Sequence, residues 1–201
     1  FNLITGSIQP DSGEIIFKDK VITGTSPDKL CHMGISRSFQ ITNIFQGLSV
    51  FENIRLSSQG ILRKSGFFSH VTGLKEPMEE AERILNLLGL WDKRSERAGN
   101  LSHGDQRYLE IGIALASRPE LVLFDEPTAG MTPAETGTTI ELIKKVKGTI
   151  TILLIEHDIN VVFALSDRII VMDQGSILAE GIPQDVKANP AVKTAYFGEE
   201  F

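Results

Sequence analysis

The sequence predicts an α/β fold built on a parallel sheet, and two apolar runs carry the prediction. Leu121–Phe124 is four apolar residues long and is cut off by Asp125, Glu126 and Pro127. Thr149–Ile155 is a second run, ending in Glu156, His157 and Asp158. Short, unbroken apolar runs are the pattern of strands covered on both faces, as in parallel sheets. A helix is predicted between them, from Pro133 to about Lys147, with Gly148 as its stop.

The other elements follow in chain order. FNLITGSI (1–8) reads as the last turns of a helix, with Gly6 as its C-terminal stop. Gln9–Gly13 is turn material. Glu14–Lys18 is a strand with Ile15 and Phe17 on one face, and Val21–Ile22 can pair back onto it. Ser26 followed by Pro27 starts a short helix to about Met33. Ile35–Gln40 is a further core strand. Ser49, with Glu52 three residues on, opens a helix. Leu56–Glu76 is weakly patterned and reads as helix and loop. Pro77–Leu90 is amphipathic, with Ala81, Ile84, Leu85, Leu87 and Leu88 on one broad face and Gly89 closing it. After the polar linker Asp92–Asn100, Ser102 caps a helix to about Ser117, with Leu109, Ile113 and Ala116 inward. Ile159–Leu165 is a helix. Arg168–Met172 and Ile177–Glu180 form a hairpin around Asp173–Ser176. Pro183–Asn189 and Pro190–Phe197 are short helices opened by prolines.

Composition narrows the function. The chain has 201 residues, 41% hydrophobic and 23% charged, with a formal net charge of -6. That balance suits a globular protein and argues against a broad nucleic-acid surface, which needs a basic footprint. Cys31 is the only cysteine, so no internal disulfide forms, as expected for a reducing cytosol. No apolar run approaches the length of a membrane span.

Chemistry concentrates in two stretches. Asp125 and Glu126 stand at the carboxyl end of a buried strand, where open α/β sheets place ligands. Adjacent carboxylates there are costly unless a cation meets them. A magnesium ion carrying nucleotide phosphates suits that need: Asp125 would hold Mg²⁺, and Glu126 would orient or deprotonate a water. An ordinary polar strand exit is the alternative. In the second stretch, Ser102 caps a helix, Asp105 stands three residues later, and Gly104 sits in the first turn at a cost of about 1 kcal/mol against Ala. A hydroxyl, free N–H groups and a close-approach glycine make a phosphate site. A plain capping box is the alternative. A lone histidine such as His157 is more often structural, although here it follows a core strand.

LSHGDQ, LVLFDEP and LLIEHD, in that order, resemble the ATP-binding subunits of ABC transporters. Ser102 precedes Asp125 by 23 positions and Glu126 precedes His157 by 31, spacings that suit the family. LSHGDQ is similar to the signature motif, with His103 and Asp105 in place of the commoner Gly and Gln. FDEP is similar to the Walker B motif. Gln40 fits the Q-loop glutamine, AGMT at Ala129–Thr132 the D-loop, and His157 the switch histidine. LEIGIALASRPELVLFDEPTAGMTPAE and the closing GIPQDVKANPAVKTAYFGEE resemble one branch, the ATPases of branched-chain amino-acid and urea importers.

The resemblance implies a P-loop NTPase-like ABC ATPase fold: a parallel core sheet with flanking helices, a small antiparallel β part and a helical subdomain. It implies one ATPase domain over 1–201, a helical subdomain at about 41–118 that includes the signature helix, and a helical tail at about 183–201. The ligands implied are ATP and Mg²⁺, with Asp125 and Gln40 as metal ligands and Glu126 and His157 as catalytic residues. Gln40 and Gly130 would touch nucleotide, Gln40 from the same subunit as Asp125. Ser102, His103, Gly104, Asp105 and Gln106 would touch it from a second ATPase subunit, in a homo- or heterodimer. Membrane permease subunits are the direct partners and a solute-binding protein an indirect one. Location would be cytoplasmic, peripheral on the inner face of the plasma membrane. Soluble ABC proteins of DNA repair or translation, and a non-hydrolysing nucleotide-binding module, are the rival classes.

The sequence departs from the family in one respect. It holds no G-x-x-x-x-G-K-[ST] and no Gly-Lys pair. In the family, that phosphate loop immediately precedes a segment resembling FNLITG. The expectation is therefore a partial sequence, beginning just beyond the loop and the first strands. Taken alone, residues 1–201 should not hydrolyse ATP and should be poorly stable.

Overall fold

The computed structural model describes residues 1–38, 44–62 and 75–197. They divide into two compact units, Phe1–Ile155 and Glu156–Phe201.

The first unit holds a three-stranded parallel sheet in the order β3(Ile35–Arg37), β4(Leu121–Asp125), β5(Thr151–Ile155). The central strand is buried where expected: Val122, Leu123 and Phe124 have no exposed surface. The outer strand β5 departs from expectation. Its residues alternate between exposed and half-buried, and Leu153 and Ile155 are among the exposed apolar side chains. The reason is position, since β5 pairs with β4 alone among the described strands. The expected strand Ile35–Gln40 is seen to Arg37; Phe39 and Gln40 lie outside the described residues.

Before the sheet, β1(Ile16–Phe17) and β2(Lys20–Val21) form a hairpin with Ile16 opposite Val21. The connecting Lys18 and Asp19 both have positive φ, 49° and 60°, matching the twist of a two-residue turn. α1(Pro27–His32) starts at its proline after Ser26. Ile22, Leu30, Ile35 and Leu123 then close a small core, with Phe1, Ile15 and Phe17 packed on it.

Three helices make the second part of this unit: α2(Val50–Leu62), α3(Lys75–Leu88) and α4(His103–Ala116). Ser49 caps α2, accepting from the Glu52 N–H at 3.1 Å, while the Glu52 carboxylate binds Arg55. The apolar face of α3 is the expected one: Ala81, Ile84 and Leu85 are fully buried. Gly112 lets the helices close up. A Cβ there would lie 2.5 Å from Leu88 Cδ1 and 2.9 Å from Ile54 Cδ1. After β4, α5(Pro133–Lys147) opens with a full capping box between Thr132 and Glu135.

The second unit contains α6(Ile159–Leu165), the antiparallel pair β6(Ile169–Asp173) and β7(Ser176–Gly181), and α7(Pro183–Ala188) and α8(Pro190–Phe197). Gln174 and Gly175, at φ 47° and 80°, turn the hairpin. Ile169, Val171, Val186 and Val192 form its core. Among the described residues, no helix is long and apolar enough to cross a membrane.

An ionic clasp ties α3 to the end of α4. The Glu80 side chain, 2% exposed, accepts from Arg83 on its own helix and from Arg118, just past α4. Burial pushes the Glu80 carboxyl up, but the hydrogen bonds from Arg83 and Arg118 outweigh it, and the net shift is downward. A carboxyl whose folded pKa is depressed contributes stability above its unfolded pKa and loses it as pH falls through the folded value. Glu80→Gln should therefore cost about 2 kcal/mol near neutral pH. Urea unfolding should show the gap to wild type closing as pH falls below the ordinary carboxylate range. A gap that stays constant over that range would assign the loss to packing rather than charge.

Candidate functional site

The site begins where the central ladder ends. β4 and β5 stay in register through Asp125 opposite Ile155. The Glu126 N–H adds one more bond, to the Ile155 carbonyl at 2.9 Å. Pro127 then ends the strand. Glu126 sits at φ 47°, a left-handed conformation that L-residues rarely take, and it directly precedes a proline. Its N–H bond to β5 on one side, and its carbonyl accepting from Ala129 N–H at 3.1 Å on the other, hold that bend. The bend turns the chain off the sheet at the two acids.

Asp125 does not stand alone. The Arg37 guanidinium donates from Nη2 to Asp125 Oδ2 at 2.8 Å, and both side chains are 15% exposed. Ser38 lies beside them, its N–H on the Leu123 carbonyl and its hydroxyl 3.5 Å from the Asp125 N–H. Gln40, expected at the same edge, lies outside the described residues. His157 belongs to the second unit, exposed, one residue before the Asp158 cap of α6.

The second expected stretch is the start of α4. Ser102 is its N-cap and accepts from the Asp105 N–H at 3.2 Å, as expected. Its hydroxyl donates back to Asp105 Oδ2 at 2.8 Å, and Lys93 donates to the same oxygen. Gln106 folds back, donating from Nε2 to the Leu101 carbonyl. Ser102 and His103 are exposed and Gly104 is buried.

What buries Gly104 is Glu135, a residue the sequence reading did not single out. A Cβ on Gly104 would fall 2.0 Å from Glu135 Oε1 and 2.7 Å from its Cδ. The other oxygen, Oε2, accepts from the Thr132 N–H at 2.8 Å and the Thr132 hydroxyl at 2.7 Å. These bonds from Thr132 hold the Glu135 carboxyl below its ordinary value. Tyr108 adds a second tie, its hydroxyl donating to the Glu135 carbonyl at 3.1 Å. His103 lies against Gly130, whose added Cβ would meet its ring at 3.3 Å. The start of α4 thus rests on the loop and first turn that follow the acidic pair. The sequence signal was present as Thr132-Pro-Ala-Glu135, a capping box, but its contact with Gly104 is tertiary.

Gly104→Ala should cost about 1 kcal/mol, through loss of the clasped cap. In a Glu135→Ala background the same change should be neutral or stabilising, since Ala exceeds Gly in helix propensity by about 1 kcal/mol. A thermal-unfolding double-mutant cycle measures this; equal penalties in the two backgrounds would clear Glu135 of the effect.

Comparison with known proteins follows the same motifs. Residues 1–129 match the family model described as ABC transporter, and residues 176–201 match that described as branched-chain amino acid ATP-binding cassette transporter. Among curated proteins, the chain is 38% identical over 208 residues to the high-affinity branched-chain amino acid transport ATP-binding protein LivG of Escherichia coli K12, covering 99% of this chain and 81% of the relative. Among solved structures, the ADP conformation of MJ1267, an ATP-binding cassette of an ABC transporter, aligns with a TM-score of 0.83 and 32% identity, covering 98% of this chain and 82% of the other. The dimeric post-hydrolysis state of the cassette MJ0796, bound to ADP and Pi, aligns at 0.74 and 26% identity, covering 90% and 78%. An α/β chain with a parallel core sheet, an acidic pair at the end of its central strand and these matches belongs to the ABC transporter ATP-binding family.

Proposed function

We propose that this chain is the ATP-hydrolysing subunit of an importer for branched-chain amino acids. The observation that carries the reading is the Asp125–Glu126 pair at the carboxyl end of β4, in a chain of this family. The substrate class is supported by the family match of residues 176–201 and by the name of the Escherichia coli relative.

The residues fit a magnesium site of the usual kind. Asp125 offers a hard carboxylate oxygen, and among the described residues no group of three or more His, Cys, Asp or Glu gathers to cage a metal. Mg²⁺ is commonly held by one or two carboxylates together with phosphate oxygens and waters. Asp125, with Gln40, would hold it, and when bound it supplies positive charge to the phosphates. Glu126 acts on the attacking water as base, and His157 contacts the terminal phosphate. Gly130 also approaches the nucleotide. Ser102 to Gln106 serve the nucleotide of a second ATPase subunit, because helix N–H groups bind anions. Closure of two subunits follows when ATP favours the closed pair over the open one.

The helical subdomain, at about 41–118, and the tail, at about 183–201, complete the domain. The subdomain also offers a partner surface. Phe45 is 62% exposed and Leu48 36%. Beside them, Ser49, Phe51, Trp91, Arg94 and Ser95 line a hollow of about 400 Å³, with Arg94 stacked 4.6 Å from the Trp91 ring. An amphipathic permease helix fits such a groove. Through it the subunit works at the inner face of the plasma membrane, and a solute-binding protein feeds the permease from outside.

Two measurements test this in the full-length subunit. Glu126→Gln should abolish steady-state hydrolysis while ATP binding persists and the dimer stays closed; unchanged turnover would remove Glu126 from the chemistry. Alanine at Phe45, Leu48 and Phe51 together should abolish permease co-purification without loss of ATP binding. Undiminished co-purification would leave those side chains a packing role only.

A further inference from the structure

Asp125 carries a second cation-related feature. β3 and β4 run parallel with Arg37 opposite Leu123. Asp125 stands two residues beyond Leu123, so its side chain and that of Arg37 leave the same face of the sheet as diagonal neighbours. The guanidinium uses both its terminal nitrogens. Nη2 donates to Asp125 Oδ2 at 2.8 Å, and Nη1 donates to Asn2 Oδ1 at 2.7 Å. Its central carbon lies 5.5 Å from the centre of the Phe1 ring. A carboxylate, an amide and an aromatic ring thus fix one planar cation, in a way that a lysine ammonium could not reproduce.

We propose that Arg37 is the positioning residue of the cation site. It holds Asp125 by Oδ2, which leaves Oδ1 to the metal. It also cancels the carboxylate's charge, so the site binds a divalent cation weakly by itself and well only when nucleotide phosphates bring further negative charge. Metal and nucleotide are thereby coupled: each improves the other's binding, and Arg37 sets the size of the effect. The proposal rests on Asp125 being the magnesium ligand. Without the guanidinium the carboxylate's full charge would face the metal, so the metal alone would bind less weakly, and Arg37 suppresses that state.

The test uses Mn²⁺ as the metal and a non-hydrolysable ATP analogue, on the full-length subunit, with free Mn²⁺ read by electron paramagnetic resonance. In wild type, Mn²⁺ alone should bind weakly and the analogue should strengthen it. In Arg37→Gln, Mn²⁺ alone should bind more tightly, and the strengthening by the analogue should fall by about 10-fold, within the usual range of coupling between sites. Asp125→Asn separates the two readings. If it keeps wild-type Mn²⁺ binding in the presence of the analogue, Asp125 is not the ligand and the proposal falls with that reading. If it loses that binding while Arg37→Gln behaves as wild type, the metal reading stands and the proposal alone is overturned. Should Arg37→Gln fail to melt cooperatively, Arg37→Lys decides. It keeps the charge but cannot hold Asn2 and Asp125 together, so Mn²⁺ alone should still bind weakly while kcat drops with KM for ATP little changed. An Arg37→Lys enzyme with wild-type kcat would overturn the positioning role.

Discussion

The structure depends on burying β4 between two parallel neighbours. Val122, Leu123 and Phe124 are fully buried, and the strand bonds to β3 on one side and β5 on the other. Such a strand tolerates no charge along its length. Its charge must appear at its end, and the two acids do so at once, with Pro127 preventing any further pairing. The unusual backbone of Glu126 is the local consequence. Its N–H still completes the ladder to Ile155 while its φ of 47° turns the chain away. Strain of this kind, of order 1–3 kcal/mol, persists only where the surroundings enforce it. Here a buried sheet on one side and a turn bond on the other do so.

Much of this was legible in the sequence, for identifiable reasons. Pro27, Pro133, Pro183 and Pro190 each occupy the first position of a helix, because proline's fixed φ and missing N–H suit that position and few others. The cap at Ser102 and the amphipathic face of α3 are local patterns of the same sort. The exposure of β5 was not legible: Leu153 and Ile155 are apolar, and apolarity says nothing of whether a strand lies inside a sheet or on its outer side. Neither of the two contacts that shape the site is local. Arg37 and Asp125 are 88 residues apart, and the Glu135 contact with Gly104 joins different helices. Each half carried a signal, an arginine in a core strand and a T-x-x-E capping box. The pairing depends on which strands and helices meet. Gln40 lies outside the described residues, so its part was read from sequence alone.

The start of α4 shows how a general helix property is adjusted by its neighbours. Any helix N-terminus favours an anion. This one already has two acids nearby: Asp105, tied to Lys93 and Ser102, and Glu135, tied to Thr132. The hydrogen bonds from Thr132 favour the charged form of Glu135. The Glu135 carboxylate thus already lies against the Gly104 backbone. With Lys93 donating to Asp105, the charge balance here differs from that of a helix start with no acids beside it.

The far end of α4 has a different task. Arg118, with a φ of 50°, leaves the helix and clasps Glu80 and Glu76 on α3. Just beyond it, the N–H groups of Glu120 and Leu121 both bond to the Gly34 carbonyl, at the entry to β3. β4 starts at that same Leu121. From the Arg118 clasp to the first residue of the strand there are only two intervening residues, Pro119 and Glu120, and one of them is already bonded. That leaves little slack. The path from α4 into β4 is therefore short and hydrogen-bonded along its length. At the other end of β4 stand Asp125 and Glu126. The strand that places the two acids is thus joined to the helices through an ion pair on the buried Glu80 carboxylate and a carbonyl shared by two N–H groups.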